Sequence, residues 1–162
     1  MRTPFVPHDF KVPQSLETKT FRLRMLTVHD VVKDYDAVMT SIDHLQGIFG
    51  PRSKWPSRNL TLEQDLIDLG WHQKEFQTRS SFTYTVMNLE ETLCLGCVYI
   101  FQPRKAGFDT EIYMWVRKSE YEKGLDPILY KTIRRWIKEK WPFNHVAYPG
   151  REIDWDTWKS YK

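Results

Sequence analysis

The chain is predicted to form an α+β (α/β) domain, and three stretches of its sequence carry this prediction. Residues 21–26 (FRLRML) alternate apolar and polar side chains, as a half-buried strand does. Residues 110–116 (TEIYMWV) are rich in β-branched and aromatic side chains, which is typical of a buried strand. Residues 128–137 repeat apolar side chains at helical spacing. Together these stretches predict a sheet flanked by helices.

The N-terminal segment, residues 1–18, is predicted to be an extended arm because it contains Pro4, Pro7 and Pro13. It has no long apolar stretch, so we do not expect a signal peptide. Residues 19–162 are predicted to form a single domain, since a chain of 162 residues can bury one sizeable core.

Two helices are predicted after the first strand. Thr27 and Asp30 can cap a helix over residues 31–39. Thr61 begins a capping-box pattern, with a glutamine three residues later, and starts a second helix that ends near Phe76. The side chains expected to face inward on this second helix are Leu62, Leu66, Leu69 and Trp71.

The rest of the sheet is predicted from short runs of strand-forming residues. Residues 82–87 and 93–101 read as two strands joined by a turn, and they lead into the strand at 110–116. Residues 146–148 form a short last strand, which a Pro-Gly pair ends. The segment 41–58, rich in glycine and proline, is predicted to be a loop.

A turn and an amphipathic helix follow the strand at 110–116. Gly124 lies in the turn, while Asp126 and Pro127 suit the N-cap and the first position of the helix. A helix N-terminus presents free backbone N–H groups and favours anions such as phosphates. The basic side chains of this helix, which read as a solvated face or as a contact for adenosine phosphates, are Lys131, Arg134, Arg135 and Lys138.

The composition excludes several classes of protein. The net charge of +3 favours an acidic ligand but is too small for a nucleic-acid-binding surface, so we expect no nucleic acid partner. No apolar run approaches the roughly 18 residues of a membrane span, so no membrane partner is expected. Cys94 and Cys97 form a lone CxxC with no second pair, and the histidines show no ligand spacing, so no metal is expected. With two cysteines and no targeting segment, we expect a cytoplasmic protein.

The strand motif Glu-Ile-x-x-x-Val at residues 111–116, the turn at 119–125 and the helix after it resemble the acetyl-CoA motif of the GNAT acyltransferases. In that family the turn reads Arg/Gln-x-x-Gly-x-Gly/Ala. Here those three positions hold Tyr121, Gly124 and Asp126, so one of the three is kept. The run RLRxLTxxD before the first helix is similar to the start of the ribosomal-protein-acetylating type.

The resemblance implies a GNAT-like fold, with a mixed and mostly antiparallel central sheet, over about residues 21–148. The family usually continues with another helix and two more strands, but only 12 residues follow Gly150. The helix that carries a tyrosine general acid in many members is therefore expected to be missing or shortened. The strand at 146–148 is then an uncovered edge, which a homodimer partner could cover.

The resemblance also implies that acetyl-CoA, or another acyl-CoA, is the cosubstrate. In the family the pantetheine pairs with the backbone of the strand like an added strand, and the pyrophosphate lies at the turn and helix N-terminus. Carried over to this sequence, the strand positions are Met114, Trp115 and Val116. The turn positions are Lys123, Gly124, Leu125 and Asp126. Asp126 would place a negative charge beside the pyrophosphate.

Glu111 is the candidate catalytic base. An amine must lose a proton before it attacks a thioester, and in the histone-acetylating branch a glutamate on this strand accepts it. That branch places its glutamate six residues before the strand's valine, whereas Glu111 lies five before Val116 and should point to the other face unless a bulge intervenes. The alternative is that Glu111 fixes a strand end or pairs with an arginine or lysine.

These expectations lead to an acyltransferase that moves an acyl group from acyl-CoA to an amine, on a small molecule or a protein. Its acceptor pocket would be formed by Phe49 and Trp55 of the 41–60 loop, together with Trp155 and Trp158. The alternative is a catalytically inactive GNAT-like module that binds a CoA-like or other small anionic ligand. Nucleic acid binding through the basic helix is the least favoured, because acidic residues nearly balance the basic ones.

Overall fold

A six-stranded sheet, in the order β1-β2-β3-β4-β5-β6, organises the computed structural model, which describes residues 2–162. Each neighbouring pair of strands is antiparallel except β5 and β6, which are parallel. The strands are β1 Ser15–Glu17, β2 Phe21–Met25, β3 Phe82–Asn88, β4 Cys94–Phe101, β5 Thr110–Val116 and β6 Val146–Ala147. The predicted mixed, mostly antiparallel sheet with flanking helices is confirmed.

Six helices and one 3-10 turn, Val28–Asp30, accompany the sheet in the described part of the chain. The helices are α1 Val31–Met39, α2 Ile42–Leu45, α3 Leu62–Gln77, α4 Lys118–Glu122, α5 Leu125–Lys140 and α6 Trp155–Ser160. The short helices α2 and α4 lie inside segments that the sequence predicts to be loop and turn.

Helices cover both faces of the sheet, which explains why nearly every residue of its inner strands is buried. Along β5, Ile112 and Met114 face α5 and pack with Leu129 and Ile133. On the opposite face, side chains of β4 and β5 pack against α1, α3 and the loop between them. The residues that β4 and β5 contribute to this second cluster are Cys94, Cys97, Tyr99, Tyr113 and Trp115.

The N-terminal segment packs along the sheet. Ser15–Glu17 pairs with β2, the ring of Phe5 stacks on Phe82 at 5.8 Å, and the Tyr84 hydroxyl donates to the Pro13 carbonyl at 2.6 Å. Val6 is buried in the core. The division into an arm over 1–18 and a domain over 19–162 stays a prediction, as does a partner copy at β6.

The predicted inward face of α3 is wrong for three of its four residues. Leu62, Leu66 and Trp71 are exposed, and Trp71 keeps 65% of its surface open to solvent. Leu69 is buried as predicted. The face that turns inward is Asp65, Leu69, His72 and Phe76, which follow one another at helical spacing. Because the first inward residue of this face is an aspartate, a search for apolar side chains at helical spacing does not find the face.

The start of α5 also differs from the prediction. The helix is capped by Gly124, whose φ of +87° lies in the left-handed region that glycine adopts without strain. Asp126 is therefore not the N-cap but lies in the first turn, and its carboxylate is bound by Arg151. Pro127 follows within the same turn, where the missing N–H costs no helical hydrogen bond.

Candidate functional site

Strand β5 parts from β6 after two residues of pairing. The parallel register joins only Thr110 to Val146 and Glu111 to Ala147. Residues 112–116 of β5 continue beyond the end of β6, and Pro149 and Gly150 lead the chain away beside a cavity of about 160 Å³. The divergence leaves a cleft at the edge of β5, close to the N-terminus of α5.

Arg151 bridges this cleft. Its two terminal nitrogens donate to both carboxylate oxygens of Asp126 at 2.9 Å, and Nη2 also donates to the carbonyl oxygen of Met114 at 3.2 Å. The guanidinium carbon lies 5.1 Å from the centre of the Tyr130 ring, a cation–π contact. A single side chain thus joins the β5 edge to the first turn of α5 and neutralises Asp126.

The other predicted cofactor positions are divided between the core and the surface. Trp115 is buried and its indole N–H donates to the Tyr99 hydroxyl at 2.9 Å, while the Val116 carbonyl accepts from His44 Nε2 at 3.1 Å. Leu125 is buried in the core under α5. Lys123 is exposed and lies 3.4 Å from Glu120, so its ammonium is free to move. A side chain at Gly124 would meet no atom within 4 Å, so the helix start is open.

Glu111 lies on the face opposite α5 and is held by an ion pair. The residue is only 1% exposed, and Arg104 Nε donates to its Oε1 at 2.6 Å. Arg104 Nη2 donates to the Tyr113 hydroxyl at 2.9 Å, and burial raises the pKa of Tyr113 to about 12. The arginine itself is largely exposed, so it covers the glutamate from the solvent side. This geometry is the pairing that the sequence offered as the alternative to a catalytic base.

Phe49 and Trp55 lie together over the same face of the sheet. The ring centre of Phe49 is 5.3 Å from that of Trp55, 5.0 Å from Tyr99 and 5.4 Å from Tyr113. Phe49 separates two cavities, of about 460 and 410 Å³. The larger one includes Trp55, while Trp155 and Trp158 line the other. The aromatic residues expected to form an acceptor pocket are therefore brought to one region.

Two buried aspartates face the larger cavity. Asp34 of α1 and Asp65 of α3 are 5% and 3% exposed, and their carboxyl groups lie close enough to affect each other's pKa. Burial and the neighbouring carboxylate raise the pKa of Asp34 well above its usual value, and burial raises the pKa of Asp65. The other titratable groups that face the pair are Asp30, Asp68, His72, Cys94, Cys97 and Tyr99.

Neutral groups complete the wall behind these acids. Cys94 and Cys97 are free thiols in the core, and burial raises the pKa of Cys94 to about 12. Burial lowers the pKa of His72, whose ring nitrogen lies 3.3 Å from the Thr83 hydroxyl. Within residues 2–162, no group of three or more His, Cys, Asp or Glu side chains is arranged to hold a metal ion.

Sequence reasoning found the cleft and the aromatic residues but missed three charged groups. Arg151 and the Asp34–Asp65 pair make contacts across long stretches of chain, while Arg104 reaches Glu111 across a turn of seven residues. The helical spacing of Asp65 with Leu69 and Phe76 was the available signal for the buried pair. No comparable signal marks Arg151, because its contacts follow from where the chain turns after β6.

Comparison with known proteins identifies the fold. No family model and no curated protein match the chain. Solved structures do match it, and they are acetyltransferases. The ribosomal-protein-S5-alanine acetyltransferase from Vibrio fischeri superposes with a TM-score of 0.66 and 19% identity, over 85% of this chain and 75% of that one. The chain therefore has the fold of the GNAT acetyltransferases.

Two further structures agree. A protein described as a GNAT-family acetyltransferase from Bordetella pertussis matches with a TM-score of 0.56 and 16% identity, over 78% of this chain and 73% of that one. The microcin C7 self-immunity acetyltransferase, in complex with acetyl-CoA and AMP, matches with a TM-score of 0.56 and 14% identity, over 79% and 67%. At such identities the likeness establishes the fold, and the activity has to be argued from the site.

Proposed function

We propose that this protein transfers an acyl group from acyl-CoA to an amine acceptor. The observation that carries the proposal is the parting of β5 from β6 beside the N-terminus of α5, in a fold shared with acetyltransferases. An extended ligand can add to a free strand edge, and phosphates favour a helix N-terminus. Acyl-CoA, when bound, supplies an activated thioester.

The residues of the cleft fit such a ligand on one condition. The Met114 carbonyl faces the cleft, and the helix start at Gly124 is open, as an extended chain ending in phosphates requires. Arg151 occupies the hydrogen-bonding position on Met114, so a ligand that adds to the β5 edge must displace that bond. The displaced guanidinium stays beside the α5 N-terminus through Asp126, where it can contact an anion.

The acceptor amine would be deprotonated by Glu111 and held by the aromatic side chains around Phe49. Arg104 holds the Glu111 carboxylate in place by an ion pair, but it also shields the carboxylate from an acceptor. Because most of the Arg104 side chain is exposed, it can swing into solvent when an acceptor enters. Tyr113, hydrogen-bonded to the same arginine, would then present a neutral hydroxyl near the base.

A binding module without turnover is the second candidate. The Arg104–Glu111 ion pair and the Arg151–Met114 hydrogen bond both occupy positions that a working site would need free. In that case the cleft would bind a CoA-like anion and the acceptor side would remain closed.

A cytoplasmic location stays a prediction. None of the helices in residues 2–162 combines the length and apolarity that crossing a membrane takes.

A thermal-shift series with acetyl-CoA, CoA and ATP tests the proposal. Binding to the folded state at one hundred times the dissociation constant stabilises it by about 2.7 kcal/mol, so the melting temperature should rise with either CoA species. ATP controls for a general response to polyphosphates. The absence of any shift with millimolar acetyl-CoA and CoA would contradict the acyltransferase. A shift without acetyl transfer to a panel of amines would favour the binding module.

A further inference from the structure

The cavity between α1, α3 and the sheet contains two buried carboxyl groups without a positive partner. Asp34 and Asp65 are close neighbours, and neither forms an ion pair with an Arg, Lys or His side chain of residues 2–162. Oδ2 of Asp65 is fully buried and has no hydrogen-bond partner among the described residues. A buried acceptor left without a donor costs stability, so this one indicates a group that the chain itself does not supply.

The walls of the same cavity suit a positively charged group. Its volume is about 460 Å³, which is within the range of small-molecule sites. Aromatic side chains surround the acids, and their faces attract cations. The aromatic residues that line it are Phe49, Trp55, Trp71, Tyr99 and Phe101. Trp71 is mostly exposed while it lines the cavity, so the cavity opens to solvent on that side.

The chemistry of the lining rules out other ligands in turn. An anion would meet Asp34, Asp65 and Asp68, with no cation to compensate. A neutral ligand without a donor would leave Asp65 Oδ2 unpaired. A metal ion would need a set of ligating side chains, and the described residues offer none of the required arrangement. An ammonium group offers several donors and a positive charge in one small head, so it satisfies both the acids and the aromatic faces.

We infer that this cavity binds the ammonium group of an amine, with Asp34 and Asp65 as its acceptors and Trp55 and Trp71 as its aromatic walls. The inference does not rest on the proposed function, because the cavity that holds this ammonium is separate from the place where Glu111 would deprotonate an attacking amine. Phe49 lies between the cavity and the Glu111 region, because it lines both. The ammonium site therefore lies on the side of α3, away from the β5 edge where acyl-CoA is proposed to bind.

Isothermal titration without any CoA tests the site directly. The probes are 2-phenylethylamine and 2-phenylethanol, which have nearly the same shape and differ in the ammonium group. The amine should bind and the alcohol should not. Asp65→Asn and Asp34→Asn should weaken amine binding about 10- to 100-fold, as expected when a charged hydrogen bond is lost. Glu63→Gln, on the exposed side of the same helix, should leave it unchanged.

The variants also report on folding, so a loss of binding can be interpreted. Replacing one acid of the pair removes like-charge repulsion, and both asparagine variants should melt no lower than the wild type at pH 7. Equal binding of amine and alcohol, or full amine affinity in Asp65→Asn, would overturn the inference. Equal stabilisation by millimolar calcium chloride, lost in Asp65→Asn, would also overturn it by assigning the pair to a metal ion.

The source of the ammonium is distinguished by one more probe, alanyl-phenylalaninamide, which carries it on a peptide N-terminus. Binding of this peptide, with the same loss in Asp65→Asn, assigns the site to a peptide amine. Binding of 2-phenylethylamine alone assigns it to a small molecule. Both outcomes support the ammonium site. Because no CoA is present, amine binding can be observed even if the acyltransferase proposal fails. Acyl transfer can likewise be observed even if no amine binds in this cavity.

Discussion

The Asp126–Arg151 pair makes the location of the cofactor phosphates testable. With both residues present, the start of α5 carries no net side-chain charge from the pair, since the guanidinium binds both carboxylate oxygens at 2.9 Å. Asp126→Asn removes the negative charge and leaves Arg151 unpaired beside the helix N-terminus. CoA, with its negative phosphates, should then bind more tightly.

The size of the effect follows from Coulomb's law. A unit charge about 5 Å from a phosphate, at an effective dielectric of about 20, interacts by about 3 kcal/mol. Both side chains are about one-fifth exposed, and mobile ions screen the charge, which leaves about 1–2 kcal/mol. This corresponds to a gain in CoA affinity of roughly 5- to 30-fold at low ionic strength. Most of the gain should disappear in high salt.

Isothermal titration with CoA, at low and high salt, measures this gain for the wild type and four variants. Arg151→Met leaves Asp126 unpaired and should weaken CoA binding. The double variant has neither charge and has lost the hydrogen bond to Met114, so tighter binding than the wild type would show that this bond restrains the cleft. Glu139→Gln changes the net charge equally, about 20 Å away at the other end of α5, and should have no effect. Pantetheine, which lacks the phosphates, should not distinguish Asp126→Asn from the wild type. If Asp126→Asn binds CoA no better at low salt, the pyrophosphate does not lie at this helix.

Three further outcomes are expected. Glu111→Gln should lower kcat about 100-fold or more with little change in CoA affinity, and an unchanged rate would leave the glutamate with a purely structural pairing. Asp34→Asn should reduce the pH dependence of stability. The raised pKa of Asp34 stabilises the fold fully below its ordinary value of 3.8, and this contribution is lost as the pH rises through the folded-state pKa, so the free energy of unfolding in urea should fall above about pH 4 by more in the wild type than in the variant, where Asp65 still has a raised pKa. Gly96→Ala would place a methyl group 2.1 Å from the Trp115 carbonyl oxygen and should lower the free energy of unfolding by about 1–3 kcal/mol, whereas little change would show that β4 can shift away from β5.

The elements of the fold could be predicted because each has a local period. The strands at β3, β4 and β5 and the helix α5 agree with the sequence to within a few residues, since alternation and helical spacing are read within a short window. The inward face of α3 could not be predicted in the same way. Its first inward residue is Asp65, and a hydrophobicity pattern assigns an aspartate to solvent.

The candidate site was less accessible to sequence reasoning because its decisive contacts are long-range. The position of Gly124 indicated a helix start beside a strand, but nothing near it in sequence indicated that Arg151 would bind Asp126 and Met114. The pairing of Glu111 was foreseen as an alternative, and its partner Arg104 follows from the turn that brings residue 104 back over β5. Whether Glu111 is available as a base or is held in an ion pair depends on contacts that such turns create.

The cleft beside α5 and the cavity beside α3 differ in whether their charged groups are paired, and this difference suggests how each binds its ligand. In the cleft beside α5, Arg151 and Asp126 satisfy each other, so a ligand there must compete with an existing pair. In the cavity beside α3, Asp34 and Asp65 have no cation, so an ammonium group entering there relieves a cost that the folded chain already bears. Because burial raises the pKa of both acids, amine binding should stabilise the protein more as the pH rises and the acids ionise. The cleft should respond instead to ionic strength. A transferase with these properties would bind an amine that supplies the positive charge that Asp34 and Asp65 lack. It would bind its cofactor by displacing one partner of the Asp126–Arg151 pair.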